Sequence, residues 1–141
     1  MNRPLSEFPG VRRRFGSALY DALLTLGVVI ALFVVPHMLV GQYFHVTAPG
    51  PVLLVHLLVV IAAYYLWHWR NGGQTLAMRT WKIQLVSADG AAPSTVQLLL
   101  RFLLAWPSIL YVGAGLIWAL FDRDRQFLHD RLAGTRIIFK P

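Results

Sequence analysis

Two charges in this chain stand where charge is expensive. Asp21 and Arg101 each interrupt an otherwise apolar run, and at the centre of a membrane helix either would cost roughly 2.5 to 3.5 kcal/mol. A partner of opposite sign offsets such a cost. Asp21 follows Arg14 by seven residues, two helical turns, so Arg14, Ser17, Asp21 and Thr25 form one polar stripe along a helix. A second stripe runs through Gln97, Arg101, Ser108, Tyr111 and Gly115. Counted from the inner end of its run by helical rise, each of Asp21 and Arg101 lies about 10 Å deep. The expectation is a buried ion pair between Asp21 and Arg101, with Gln97, Ser17 and Ser108 as further hydrogen-bonding groups. It would either fix the register of two membrane segments or line a polar path.

Other chemistry is poorly provided for. His37, His45, His56 and His68 recur along the first two runs and their connection, but their spacing fits no ligand motif, and no metal site is expected. Asp122-Arg123-Asp124-Arg125 alternates in sign, the pattern of self-compensated surface charge. Cysteine is absent, and there is no phosphate-binding glycine loop, nucleophile elbow or His-Glu-x-x-His pattern. The reading is of no catalytic residues, no cofactor and no enzyme.

The elements that must hold these residues follow from hydropathy. With 57% hydrophobic and 13% charged residues over 141 positions, the chain is too apolar for an ordinary soluble domain. The apolar residues fall into three runs, Phe15 to Val40, Val52 to Trp69 and Val96 to Phe121. About 20 residues of helix cross a bilayer core. Arg12-Arg13-Arg14-Phe15 partly resembles a secretion signal, but the run is too long, Asp21 interrupts it and Pro49 follows the small-residue candidate, so the N-terminus is expected to be retained. The net charge of +7 is carried by residues flanking the apolar runs. It reads as a topology signal and not as a nucleic-acid surface.

Arg3 and Arg12 to Arg14 place the N-terminus in the cytoplasm. The second run returns inward to Trp67, Trp69 and Arg70, and Asn71-Gly72-Gly73 breaks the chain before a short interfacial helix over Gln74 to Trp81. Residues 82–86 alternate and end at the turn signal Asp89-Gly90, and 135–139 offer a matching strand. If the two strands pair, both lie on one side of the bilayer, and the third run must return to the side it left. Pro107, Gly113 and Gly115 are expected to break it into two halves of roughly 20 Å each. The fold class is then an all-α integral membrane protein forming a single domain over 1–141. It has two full transmembrane helices, a Pro-bent third segment (a re-entrant hairpin or a third and fourth span) and a small cytoplasmic two-stranded cap. The competing arrangement has three plain spans and an outside C-terminus.

Several of these motifs occur in an order that resembles the RDD family of bacterial membrane proteins. They are Arg14 with Asp21, then 73–79 (Gly-Gln-Thr-Leu-Ala-Met-Arg), Asp89-Gly90, and 125–135 (Arg-Gln-Phe-Leu-His-Asp-Arg-Leu-Ala-Gly-Thr). The resemblance covers nearly the whole chain. The family is named for one arginine and two aspartates, which map to Arg14 in preference to Arg13, to Asp21 and to Asp130. Asp130 is expected either to cap the 74–81 helix or to pair with Arg79, locking the cap beneath the helices. The resemblance implies a multi-pass protein of the bacterial inner membrane. Transport of unknown ligands has been suggested for the family, and some members are described as sodium/proton antiporters. Expected partners are the bilayer, anionic lipid headgroups for the basic patch of Arg12 to Arg14, Arg79 and Arg101, and further copies of the chain or another membrane protein. A non-transporting scaffold with a cytoplasmic docking cap is the alternative.

Overall fold

The computed structural model describes residues 8–110, 117–123 and 126–140, apart from the side chains of Ser108 and Ile109. The first apolar run is one continuous helical rod over Val11–Phe44. It comprises α1 (Val11–Val29), a single π turn (Ile30–Val34) and α2 (Val35–Phe44). The π turn has a local cause. Pro36 has no N–H to return to the carbonyl four residues back, and its ring crowds that carbonyl, so the helix widens just ahead of it. His45 then ends the rod in a left-handed conformation (φ 53°).

Helix α3 (Gly50–Arg70) has proline at its start, where a missing N–H costs nothing, and His68 and Arg70 in its last turn. Both rods are long and apolar enough to cross a membrane, and their most apolar windows are only 6% and 11% buried. Helix α1 makes the point residue by residue. The side chains it buries are Arg14, Ser17, Asp21 and Thr25, while Leu19, Leu23 and Leu26 stay exposed. A soluble amphipathic helix does the reverse.

After Gly72 and Gly73, both at positive φ, Thr75 caps α4 (Leu76–Thr80) by accepting from the Met78 N–H at 3.2 Å. Strand β1 (Ile83–Ser87) pairs antiparallel with β2 (Thr135–Phe139), Ile83 opposite Phe139 and Ser87 opposite Thr135. The expected 82–86 pairing is therefore displaced by one residue. Lys82 stands in the left-handed region (φ 52°) and cannot continue a strand; its carbonyl instead receives the Lys140 N–H at 3.0 Å. The Asp89-Gly90 turn forms as expected, with Gly90 at φ 91° and the Asp89 carboxylate accepting from Ala91 N at 3.0 Å.

The third apolar segment begins as α5 (Thr95–Leu110), which continues through Pro107. Pro107 by itself therefore makes no break in the segment. The described part of this helix, 16 residues, is about 24 Å long by helical rise. Tyr111, Gly113 and Gly115 lie outside the described residues. Because β1 and β2 are partners, the chain between them starts and finishes at the same level. A short 3₁₀ turn (Trp118–Leu120) and α6 (Leu128–Leu132) lead into β2.

The apolar core lies at one end of the molecule. Trp69 and Met78 meet Ile83 and Leu85 of β1, Leu98 of α5 and Ile137 of β2, where the helices stand on the small sheet.

Candidate functional site

The polar stripe of α1 runs into this junction. Arg14, near the N-terminal end of α1, donates from Nη2 to Gln126 Oε1 at 2.6 Å and lies 3.6 Å from Asp130 Oδ2. Its guanidinium covers the Phe127 ring at 5.0 Å. Gln126 is held in turn by β2, its Oε1 accepting from Ile137 N at 2.9 Å. Neighbouring Arg13 is half-buried, donating to the Trp81 carbonyl at 3.1 Å. Arg14 is thus the arginine committed to the interior.

Asp130, on α6, is wholly buried. Its Oδ1 accepts from Arg101 Nε at 2.6 Å, and the Arg101 guanidinium stacks over Trp69 at 4.3 Å. One carboxylate from the cap therefore joins two guanidiniums from separate apolar segments. Burial alone would raise the pKa of Asp130, but Arg101, His129 and Arg14 hold it below the ordinary carboxylate range. A buried ion cluster is tolerable only when its charges are paired in this way.

The expected pair of Asp21 with Arg101 is not formed. Asp21 Oδ2 accepts from the Thr75 hydroxyl at 2.6 Å and Oδ1 from Tyr64 at 3.5 Å, and it makes no ion pair among the described residues. Helical depth matched the two residues along the membrane normal, but α6 packs against α5 and delivers a nearer acid to Arg101. Asp21 instead ties α1 to α3 and to the N-cap of α4. Gln97 is also placed differently. It donates to Ser87 Oγ at 2.9 Å and to the Gly134 carbonyl at 3.1 Å, fastening α5 to the strand ends of the cap. The side chain of Ser108 lies outside the described residues. Neither expected role of Asp130 holds: Thr75 is the cap of α4, and the acid's ion-pair partners are Arg101 and Arg14, not Arg79.

A half-open cavity of about 530 Å³ rises from this floor, lined by Arg14, Asp21, Arg101 and His129 at its polar end and by Ile61, Ala105 and Trp106 among its apolar walls. The arginine and both aspartates singled out from the sequence are here gathered at one place from opposite ends of the chain.

The chain matches the RDD family model over residues 8–134. The chain belongs to the RDD family. It is also 33% identical over 82 residues to the Uncharacterized protein RP437 of Rickettsia prowazekii (strain Madrid E), an alignment covering 57% of this chain and 45% of that protein. The chain thus spans less than half the length of this relative. No solved structure matches the RDD chain.

Several site residues of the RDD chain escaped the reading of charges and spacing. Thr75 and Gln126 lay inside quoted motifs as neutral residues, and only the folded chain shows them holding Asp21 and Arg14. Tyr64 and Trp69 read as span and belt aromatics. His129 is buried beside Asp130, its Nε2 3.8 Å from Oδ1. Burial, opposed by Asp130 and assisted by Arg101 and Arg14, lowers its pKa to about 4 from 6.5. A base whose folded pKa is depressed adds stability that is fully present above the unfolded value and lost as pH falls through that value toward the folded one. The unfolding free energy of the purified RDD chain should therefore hold above pH 6.5 and decline by about 3 kcal/mol toward pH 4, with the melting temperature following it. His129→Phe should flatten this limb. The Asp130 contribution lies in a separate window, lost only below the ordinary carboxylate range.

Elsewhere, His37 Nε2 and His56 Nδ1 share a hydrogen bond of 2.8 Å, with Phe33 against both rings. Among the described residues no group of three or more candidate ligands gathers around them. In the sign-alternating run, Asp122 pairs with Arg131 at 2.6 Å, while Asp124 and Arg125 lie outside the described residues.

Proposed function

We propose that this RDD chain is a multi-pass protein of the bacterial inner membrane, N-terminus cytoplasmic, that passes ions or small solutes through an oligomer. The observation that carries this reading is the inverted burial of α1, whose polar stripe faces inward while its leucines face out. That is the arrangement of a helix solvated by hydrocarbon around a polar interior. The stripe opens on the cavity that Asp21 and Arg101 line, and intramembrane ionisable groups facing an internal cavity mark solute pathways. Three membrane segments enclose little volume, so the path is assigned to an assembly of copies. The basic residues Arg12, Arg13 and Arg79 would meet anionic headgroups of the inner leaflet. No catalytic step is assigned.

A second reading is favoured by the Arg14, Asp130 and Arg101 cluster, which consumes its charges in fastening the cap. On that reading the chain is a scaffold whose cytoplasmic cap docks another membrane protein. Reconstitution in liposomes with ion-sensitive dyes separates the two. The transport reading expects flux that falls at least tenfold in Asp21→Asn, and flux that is absent or indifferent to Asp21 favours the scaffold. For topology, Lys140→Cys should react with an impermeant thiol reagent only from the cytoplasmic side. Reaction from outside would establish the three-span arrangement.

A further inference from the structure

The cavity above the charge cluster has an unusual floor. Asp130 engages Arg101 through Nε, and among the described residues no acceptor meets the two terminal amino groups of Arg101. This residue is 7% exposed and lines the cavity, so its free donors are open to that space. Donors that line a cavity without a protein acceptor can take one from a ligand, and a guanidinium favours a phosphate or carboxylate. Asp21 lines the same floor. Among the described residues it forms no ion pair, yet it is close enough to Arg101 for their charges to interact.

The charge count restricts the ligand. Among the described residues at or directly beneath the floor, Arg14 and Arg101 stand with Asp21 and Asp130, two charges of each sign. A simple anion would leave net negative charge buried in a low-dielectric site, which is costly. A ligand carrying both an anionic and an ammonium group preserves the balance, the first on Arg101 and the second on Asp21. The walls restrict it further. They are formed by Ala18, Leu19, Ala22, Ile61, Ala105 and Trp106, and Leu19 is 66% exposed on the outward apolar surface. The cleft therefore opens toward the hydrocarbon side of α1. Its volume of about 530 Å³ is within the usual range for a small-molecule site.

We infer that this cleft binds a zwitterionic amphiphile, an apolar tail bearing adjacent phosphate and ammonium groups, entering from the bilayer with its head on Arg101 and Asp21. The inference rests on the membrane placement proposed above and names the class of solute the cleft accepts.

The test is a binding titration of the purified, detergent-solubilised chain with three probes. These are dihexanoyl phosphatidylethanolamine, dihexanoyl phosphatidylglycerol with the same tails and a purely anionic head, and free phosphoethanolamine with the head alone. The ethanolamine lipid should bind at least tenfold tighter than either of the others. Ala105→Trp, which fills the apolar wall without touching a charge, should weaken it at least tenfold. Asp21→Asn should erase the preference over phosphatidylglycerol. Arg101→Lys, which keeps the charge but loses the fork of donors, should also weaken binding.

Equal or tighter binding of phosphatidylglycerol would overturn the zwitterion assignment, and equal binding of free phosphoethanolamine would overturn the tail. The ranking of probes on the wild-type chain decides these points even if a variant fails to fold. Asp21-dependent ion flux together with no lipid preference would remove this inference and leave the transport reading standing. A lipid preference without flux would do the opposite.

Discussion

Asp130→Asn is expected to destabilise the RDD chain by about 3–5 kcal/mol, the cost of stranding buried charge when one partner of an ion pair is removed. The substitution preserves shape, so packing stays the same. What it removes is the negative charge that both guanidiniums share, Arg101 at 2.6 Å and Arg14 at 3.6 Å. Neither has water to turn to, since the side chain of Arg14 is wholly buried and that of Arg101 is 9% exposed. The melting temperature in detergent and the protease resistance of the cap should both collapse. Arg131→Gln is the matched control. That arginine pairs with Asp122 but is itself 44% exposed, against 5% for Asp122, so its loss should cost clearly less than removing the carboxylate at the centre of the buried cluster.

Gly73→Ala should be the next most damaging change, at about 3 kcal/mol. Gly73 holds φ +67°, and an added Cβ would lie 2.5 Å from the backbone oxygen of Leu85. A side chain could rotate away from such a contact; a strand carbonyl cannot. The same glycine accepts the Leu85 N–H at 2.8 Å, so easing the clash pulls β1 from the loop that brackets it. Gly27→Ala, where an added Cβ meets nothing within 4 Å, should leave the melting temperature unchanged. A melt comparing the two variants checks the prediction.

Much of this architecture can be read from residue order, because long apolar helices and a two-residue strand period leave strong local signals. The two long apolar rods lie within four residues of the runs read from hydropathy, and β2 spans the residues expected of it. The α1 stripe of Arg14, Ser17, Asp21 and Thr25 is the buried face, since helical periodicity alone determines which residues share a side. The strand pairing, and with it the return of the third segment to the level it left, also follows from a local pattern.

Partner choice is less legible. Equal depth made Asp21 and Arg101 natural partners, but depth is one coordinate of three. The azimuth of Arg101 and the position of α6 beneath α5 decide that Asp130 reaches it first. Gln97 shows the same limitation. Its place on the stripe was correct, yet it serves the turn of the cap because Ser87 and Gly134 are brought together by strand pairing. The one-residue displacement of β1 depends on Lys82 adopting a left-handed backbone, which no side-chain pattern announces. Of the family residues, Arg14 and Asp130 prove to be contact partners, a relation that 116 positions of separation conceals.

One cap carboxylate holds two guanidiniums from separate helices together. Double-mutant cycles on unfolding free energy test this directly, comparing Arg101→Gln with Asp130→Asn and Arg101→Gln with Asp21→Asn. The expected coupling between Arg101 and Asp130 is about 2 kcal/mol or more, clearly larger than that between Arg101 and Asp21. Additive losses for Arg101 and Asp130, or a stronger coupling of Arg101 to Asp21, would contradict it.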